Sequence, residues 1–470
     1  MTSPRDALLA AAVAALASLP LAACGDDAHR ADADSAADAD VAAPADTWRG
    51  DDAAADDVVD ASPDTGPDAA APDPYELWPG IHRLDGVDTD LPPDDLAALW
   101  DLVGDAQLIG LGEAVHTSGG FYAVKDRLIR DLVAHHGLRV LAMETPRIAA
   151  RRLDAWIHGG DCAAPALEVF GPPAPPIFGV FVGEDTVALF RWLCAWNADH
   201  DDPDDVAFFG FDAQEPGDDA AELRAFAAAW APGASDAVEA ALTGCSTDVY
   251  DTGAATESEL DACLAALDTL PDTLDAARAA ETPADAWLDA RLSVLSLSSW
   301  QPEVYWMGRN ITRSWEARDL AMTDLLLMQL DARFPGQRAI LWAHDYHLAA
   351  DHPAIARTGF VAHARTLGSE LRARRGRAYA PVAITALRPW IDWAGVSDGP
   401  EQTTIGAGDE ALERLLVEGF DAPGVVYDPA STWAEPTYAW ELSDERMIVG
   451  DNYDAVIVLR ESPAMTPVLW

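Results

Sequence analysis

The chain has 470 residues, half of them apolar, with 80 acidic against 30 basic side chains and a formal net charge of -50. A charge of that sign and size excludes nucleic acid and anionic lipid surfaces as partners. The apolar share suffices for a large core, and the length alone allows two or three domains.

Residues 1–23 read as an export signal. Arg5 supplies a thin positive start, and Leu8 to Leu19 is an apolar run too short to span a bilayer. The run ends in Leu21-Ala22-Ala23-Cys24 and is followed by Gly25, Asp26 and Asp27. That pattern resembles a bacterial lipoprotein signal, cut before Cys24, which then carries lipid. The expected location is exported and anchored to a bacterial membrane, on its periplasmic or outer face. Residues 25–75 hold fifteen Asp and two Arg among Ala and Pro. They cannot bury enough apolar surface to offset their ordering entropy, so 24–74 reads as a disordered tether. No other stretch is long and apolar enough to cross a membrane.

The folded part is expected to begin near Tyr75 and to run to residue 470. Gln107–Leu111 reads as a buried strand ended by Gly112, and Phe121–His135 as an amphipathic helix. Arg139–Glu144 is a second strand, Ile148–Trp156 a helix stopped by Gly159-Gly160, and Thr186–Asn197 another helix. Val206–Phe211 is a third strand. The Ala-, Asp- and Leu-rich stretch from about 218 to 300 reads as wholly helical, an insertion or lid. Trp315–Leu330 is a long helix, and Ala339–Ala343 a fourth strand leading into His344. Tyr379–Thr385 and Ala455–Leu459 are later strands. Strands separated by helices predict an α/β layered fold with a mainly parallel central sheet.

Cys162, Cys194, Cys245 and Cys263 remain once Cys24 is set aside. An even number in an exported chain favours disulfides. Of three pairings, Cys162–Cys194 and Cys245–Cys263 close the shortest loops; four buried thiols are the alternative.

Three of the strands run into ionisable groups. The first leads to Glu113 and His116, the second to Glu144, and the fourth to His344, Asp345 and His347. Ligands of open α/β sheets bind beyond the carboxyl ends of the strands, so these groups are expected to converge on one crevice. His and Glu form a general acid–base pair, and the same set can hold a metal or polarise a water. Lys125 is the only lysine in a chain that otherwise uses Arg. Its place on the helix leaving the Glu113 loop suggests a compact cation beside a carboxylate or a developing oxyanion. No Gly-x-Ser-x-Gly elbow, HExxH or phosphate-binding glycine loop is present.

Leu108-Ile109-Gly110-Leu111-Gly112-Glu113-Ala114-Val115-His116 resembles the glycine-Glu-x-x-His signature of the erythromycin esterase family. Lys125 and Glu144 fall where that family carries a basic residue and a second Glu. Phe209-Gly210-Phe211-Asp212, Arg318-Asp319 with Met322, Trp342-Ala343-His344-Asp345-Tyr346-His347, Leu367-Gly368-Ser369-Glu370-Leu371 and Tyr453-Asp454-Ala455 resemble its later motifs, in order from about residue 90 to 460. The resemblance implies a mixed sheet with a helical portion, and hydrolysis of an ester or a macrolide lactone without a cofactor. It makes His116 the base on water, with Glu113 and Glu144 orienting it or the water. It puts His344 and His347 at the substrate or oxyanion, Lys125 behind a carboxylate, and Asp212, Arg318 and Asp345 at the substrate. A metal-dependent hydrolase using Glu113, His116, Glu144, His344 and His347 is the alternative. A binding lipoprotein with His116 or His347 as haem ligand is a third reading.

The chain departs from the family at several positions. Asp345 stands for an Asn, which exchanges an amide for an acceptor-only charge. Thr117 stands for a Gly, Gly120 for an acidic residue, Cys194 for an Arg and Asp324 for an Asn. His135 and His136 read as solvent-facing helix caps, while His352 and His363 match no motif. Trp300, Trp306 and Trp315 line an apolar cleft or pack the core.

Overall fold

The computed structural model describes residues 78–468 except 173–174, 201–203, 215, 246–254, 353–363, 393–398, 404–410, 421, 432–439 and 444. The export signal, Cys24, the tether and His363 lie outside the described residues. Among the described residues no helix is long and apolar enough to cross a membrane.

Eight strands form the central sheet: β1 Ile81–Leu84, β2 Leu108–Leu111, β3 Leu138–Pro146, β4 Ala207–Asp212, β5 Arg338–Trp342, β6 Tyr379–Ala386, β7 Gly424–Tyr427 and β8 Ala455–Leu459. Their order is β1-β7-β8-β6-β2-β5-β3-β4. The ladders from β8 to β4 are parallel, and β7 pairs antiparallel with both β8 and β1. The sheet is therefore mixed and mainly parallel, in an α/β fold. The Ile81–Leu84 strand alternates poorly, with two exposed residues between two buried ones. This explains why residue periodicity does not reveal it.

The helices of the first half are α1 Ala97–Val103, α2 Gly119–His135, α3 Arg147–Gly159, α4 Ala166–Phe170 and α5 Glu184–Asp199. The helical stretch comprises α6 Gly217–Trp230, α7 Ser235–Gly244, α8 Glu257–Asp268, α9 Leu270–Ala277 and α10 Ala284–Met307. It is followed by α11 Ile311–Arg333, α12 Asp345–Leu348, α13 Leu367–Arg375, α14 Leu412–Glu418 and α15 Val449–Asn452.

Period-two alternation sends the strand side chains to two separate cores. Ile109, Leu111, Leu141, Met143, Ile340 and Trp342 join α2 and α5 on one face. Leu108, Val140, Ala142, Ala339 and Leu341 join α11 and α13 on the other. The helices from α6 to α10 build an apolar cluster of their own. Helix α10 serves two clusters at helical spacing: Leu288 and Leu292 face the sheet, while Ala290, Val294 and Leu297 face the helical cluster. This helix continues seven residues past the expected boundary at 300, to Met307.

Buried charge secures the helical stretch to α3. Arg147 is 2% exposed and donates to Asp219 and Ser293, and Arg151 pairs with Glu222 and Asp289. Both expected disulfides form, Cys162–Cys194 and Cys245–Cys263. The first places Cys194 of α5 beside the loop after α3. Each bridge of this kind stabilises by about 2–4 kcal/mol.

Candidate active site

Parallel register levels the strand ends. Leu111 and Met143 both lie opposite Trp342, and Met143 lies opposite Gly210. The order β2-β5-β3-β4 then puts Glu113, His344, Glu144 and Asp212 along one rim. Strand parity divides them: Glu113 continues the face of Ile109 and Leu111, and Glu144 continues the face of Val140 and Ala142. Each carboxylate is buried, and each gathers a different set of partners.

Glu113 receives three donors. Its Oε1 lies 2.6 Å from His116 Nδ1, while its Oε2 accepts from Lys125 Nζ at 2.6 Å and from Trp342 Nε1 at 3.1 Å. Lys125 is fully buried and lies 4.6 Å from the centre of the Trp342 ring. Burial lowers the Lys125 pKa, and the Glu113 charge opposes that shift.

Glu144 is served from the other face. Its Oε1 accepts from Arg318 Nη2 at 2.7 Å and lies 3.4 Å from His347 Nε2; its Oε2 accepts from the His344 backbone N–H at 3.0 Å. Arg318 Nη2 also reaches Asp212 Oδ2 at 2.6 Å. His347 Nδ1 lies 2.8 Å from Asp319 Oδ1, which also accepts from the Leu367 N–H. Burial would raise the Glu144 carboxyl, but the His347 and Arg318 cations hold it well below the usual range. Burial would lower His347, yet Asp319 and Glu144 push it up to about 10. His347 is therefore an imidazolium at neutral pH and cannot serve as a base there.

The two histidines at the rim have opposite tautomers, as assigned from their partners. Glu113 accepts the Nδ1 proton of His116, which makes Nε2 its basic nitrogen. The Tyr346 N–H donates to His344 Nδ1 at 3.1 Å, which puts the His344 proton on Nε2. Their rings meet edge to face at 5.2 Å, and Phe181 closes on His116 at 5.4 Å. One ring can accept a proton while the other donates one.

The turn after His116 is tied down from three directions. Thr117 has φ +64°, the left-handed region that favours glycine. Its N–H donates to the Tyr122 hydroxyl at 2.9 Å, and its carbonyl accepts from the Met465 N–H. Ser118 Oγ lies 2.6 Å from Ser462 Oγ. The strain at Thr117 explains the glycine usual there. A Cβ on Gly120 would stand 2.9 Å from Ser462 Cα, so an acidic side chain has no room at that position. Asp324, the other exchanged residue, pairs with Arg374 at the surface.

Asp345 N–H donates to the Glu113 carbonyl, and its Oδ1 lies where a Cβ on Gly112 would be, only 1.6 Å away. Burial pushes the Asp345 carboxyl well above the carboxylate range, against the pull of Lys125. Burial thus works against a charge at the position where a neutral Asn amide is usual.

The structure brings Glu113, His116, Lys125, Glu144, His344 and His347 together, with Asp212, Arg318 and Asp345 beneath them. Asp212, Arg318 and Asp345 are 1%, 9% and 4% exposed and bond to protein groups. They lie beneath the rim and bond to its carboxylates and backbone, where the resemblance implies a place at the substrate. His347 is likewise enclosed, with a carboxylate near each ring nitrogen, so neither nitrogen is placed as a haem ligand. Among the described residues no group of three or more His, Cys, Asp or Glu is arranged to hold a metal ion. The two glutamates needed by the metal alternative are each taken up by a protein cation. Trp315 stacks on His347 at 5.4 Å and packs against Tyr346. His136 is half-buried against Asp131 and Trp100, and His352 packs on Tyr346.

Four groups beside the site had no role in the residue pattern: Trp342 and Tyr122, which hold the Glu113 loop, and Gln214 and Glu303, which bond to each other. Trp342 opens the motif that carries His344 and His347, and its fixed spacing from His344 is the signal that could have shown its role. Glu303, near the C-terminal end of α10 and 2% exposed, carries no such signal.

A family model described as erythromycin esterase matches residues 133–462. The match includes Glu144, Asp212, Arg318, His344 and His347 and begins after Glu113, His116 and Lys125. Among solved structures, a Bacillus cereus protein is similar at 16% identity and a TM-score of 0.69, over 83% of this chain and 97% of its own. A succinoglycan biosynthesis protein is similar at 16% identity and a TM-score of 0.66, over 82% of this chain and 96% of its own. A histidine-to-asparagine mutant of the erythromycin esterase EreC, in its open conformation, has the same identity and TM-score, over 83% of this chain and 100% of its own. At that identity the likeness is one of fold. No curated protein matches the chain.

Proposed function

The chain belongs to the erythromycin esterase family, and we propose that it hydrolyses a carboxylic ester or lactone of a small molecule by drawing a proton from water onto His116. The observation that carries this reading is the 2.6 Å contact between Glu113 and His116 Nδ1, with Glu113 itself fixed by Lys125 and Trp342. A carboxylate held in this way sets the tautomer of the imidazole and stabilises the imidazolium that forms when water is deprotonated.

In this mechanism water loses its proton to His116 Nε2 as its oxygen bonds to the ester carbon. The Nε2–H of His344 donates to the oxygen that gains negative charge. Collapse of that adduct breaks the carbon–oxygen bond of the ester, and the imidazolium of His116 returns its proton to the leaving alkoxide. Glu144 holds the His344 backbone and is itself fixed by Arg318 and His347, so the oxyanion donor rests on a preorganised base. A macrolide lactone is one substrate of the required class.

The domain organisation proposed with this activity is a signal over 1–23, a tether over 24–74 and a catalytic domain from 75, with helices of about 218–300 inserted. Lipid on Cys24 would hold the enzyme at a bacterial membrane, and stable anchoring requires more than one acyl chain. Intact mass of the mature protein tests this: an N-terminus other than acylated Cys24 overturns it.

The activity is tested by incubating the chain from Tyr75 onward with erythromycin and a panel of simple esters, with and without chelator, and reading the masses of the products. Addition of one water to a substrate, insensitive to chelator, is the expected result. Loss of turnover with chelator and its return with zinc would overturn the metal-free mechanism.

A further inference from the structure

Glu303 stands at the junction between the helical stretch and the candidate site, and the mechanism above does not use it. It is 2% exposed on α10, and its backbone carbonyl accepts from Ser314 Oγ of α11 at 2.7 Å. One carboxyl oxygen, Oε1, accepts from Gln214 Nε2 at 2.7 Å. The other, Oε2, is buried and has no hydrogen-bond partner among the described residues. Gln214 in turn donates its backbone N–H to Asp212 Oδ1 at 3.0 Å, and Asp212 shares Arg318 Nη2 with Glu144. A continuous chain of hydrogen bonds thus runs from α10 to the carboxylate that supports His344.

The charges around this chain are unbalanced. Glu144, Asp212 and Asp319 supply three carboxylates, and Arg318 and His347 supply two cations. An ionised Glu303 would add a fourth buried negative charge with a bare oxygen, which is costly without a further cation. A protonated Glu303 adds no charge and leaves Oε1 free to accept from Gln214.

We propose that Glu303 is a positioning residue for hydrolysis: it sits protonated against Gln214, and losing its proton creates a charge that draws Arg318 away from Glu144 and loosens the support under His344. This rests on the hydrolytic reading of the site. The groups facing Glu303 agree with it. Burial raises its carboxyl to about 8, Arg318 pulls the other way, and Asp212 and Asp319 add to the rise. Loss of the proton therefore falls just above neutral pH, within the range where the enzyme can be assayed.

The experiment is a pH titration of the wild type and Glu303→Gln, read in three ways. Infrared difference spectra should contain the carbonyl stretch of a protonated carboxylic acid that disappears near pH 8 in the wild type and is missing in the variant. Urea unfolding supplies the second reading. Because the folded carboxyl holds its proton to a higher pH than the unfolded one, wild-type stability should fall relative to Glu303→Gln as pH rises from about 4.5 to about 8, then level off. The third reading is turnover of an ester found in the panel. The wild type should lose rate above about pH 8 and the variant should not. An unchanged alkaline loss in Glu303→Gln overturns the positioning role, and a wild type without the infrared band overturns the protonated state. Should no ester be turned over, the hydrolytic reading fails by itself, while the infrared and unfolding titrations still decide the protonation of Glu303.

Discussion

Glu113 and Glu144 lie at the carboxyl ends of β2 and β3, which are separated only by β5, and both are buried, yet their surroundings differ in kind. Glu113 has one lysine, one indole N–H and one histidine, and that histidine lies at the rim. Glu144 sits in a closed group of carboxylates and cations whose histidine is sealed from solvent. The first arrangement holds the histidine that the proposed mechanism uses as its base. The second holds a histidine whose proton is fixed by two carboxylates up to about pH 10. Histidine identity alone does not assign a role: His347 has a carboxylate near each ring nitrogen, whereas His116, the proposed base, is held by Glu113 through Nδ1.

That contrast is most exposed to Lys125→Met. Removing the single cation leaves Glu113 buried against an indole and a neutral imidazole, and breaking a buried pair from one side costs about 3–5 kcal/mol. Urea unfolding should show a loss of that size together with loss of turnover. Arg at this position should restore little, because the pocket is already full and a larger side chain costs about 1–3 kcal/mol.

His347→Gln probes the other group and should have a smaller, pH-dependent effect. His347 is protonated to a higher pH when folded than when unfolded. Its contribution is therefore complete below about 6.5 and lost as pH rises through about 10. The stability gap between wild type and variant should be on the order of a few kcal/mol in acid and narrow across that window. A gap that widens with pH would mean that His347 is neutral and that the two histidines have been assigned the wrong way round.

Thr117→Gly should have the smallest effect. A β-branched residue at positive φ carries strain of about 1–3 kcal/mol, part of which is offset by the entropy cost of glycine. A gain of about 1 kcal/mol in unfolding free energy, with turnover retained, would show that the turn is strained without being part of the chemistry.

Much of this arrangement was legible in the residues. Short apolar runs marked β2, β3, β4 and β5, and the ionisable groups following three of them marked the rim. The single lysine pointed to a specific cation site, and short loop closure pointed to both disulfides. What escaped detection depends on strand order. Nothing local to Ile81–Leu84 or Gly424–Tyr427 shows that they pair antiparallel at the sheet edge. The depth of Asp212, Arg318, Asp345 and His347 depends on which face each side chain takes, and that follows from register. Glu303 acquires its environment only when α10 packs on α11, more than eighty residues along the chain from Gln214.

The most direct measurement compares kcat for the wild type and His116→Gln on an ester found in the panel, with unfolding curves recorded alongside. His116 is at the rim and touches Glu113 through one nitrogen, so the variant is expected to fold normally and lose about 10²–10⁴-fold in turnover. Substrate binding should persist, since the base acts mainly in the transition state. His135→Gln, on an exposed ring at the end of α2, should leave turnover at the wild-type level. A fully active His116→Gln enzyme would contradict the assignment of His116 as the base on water.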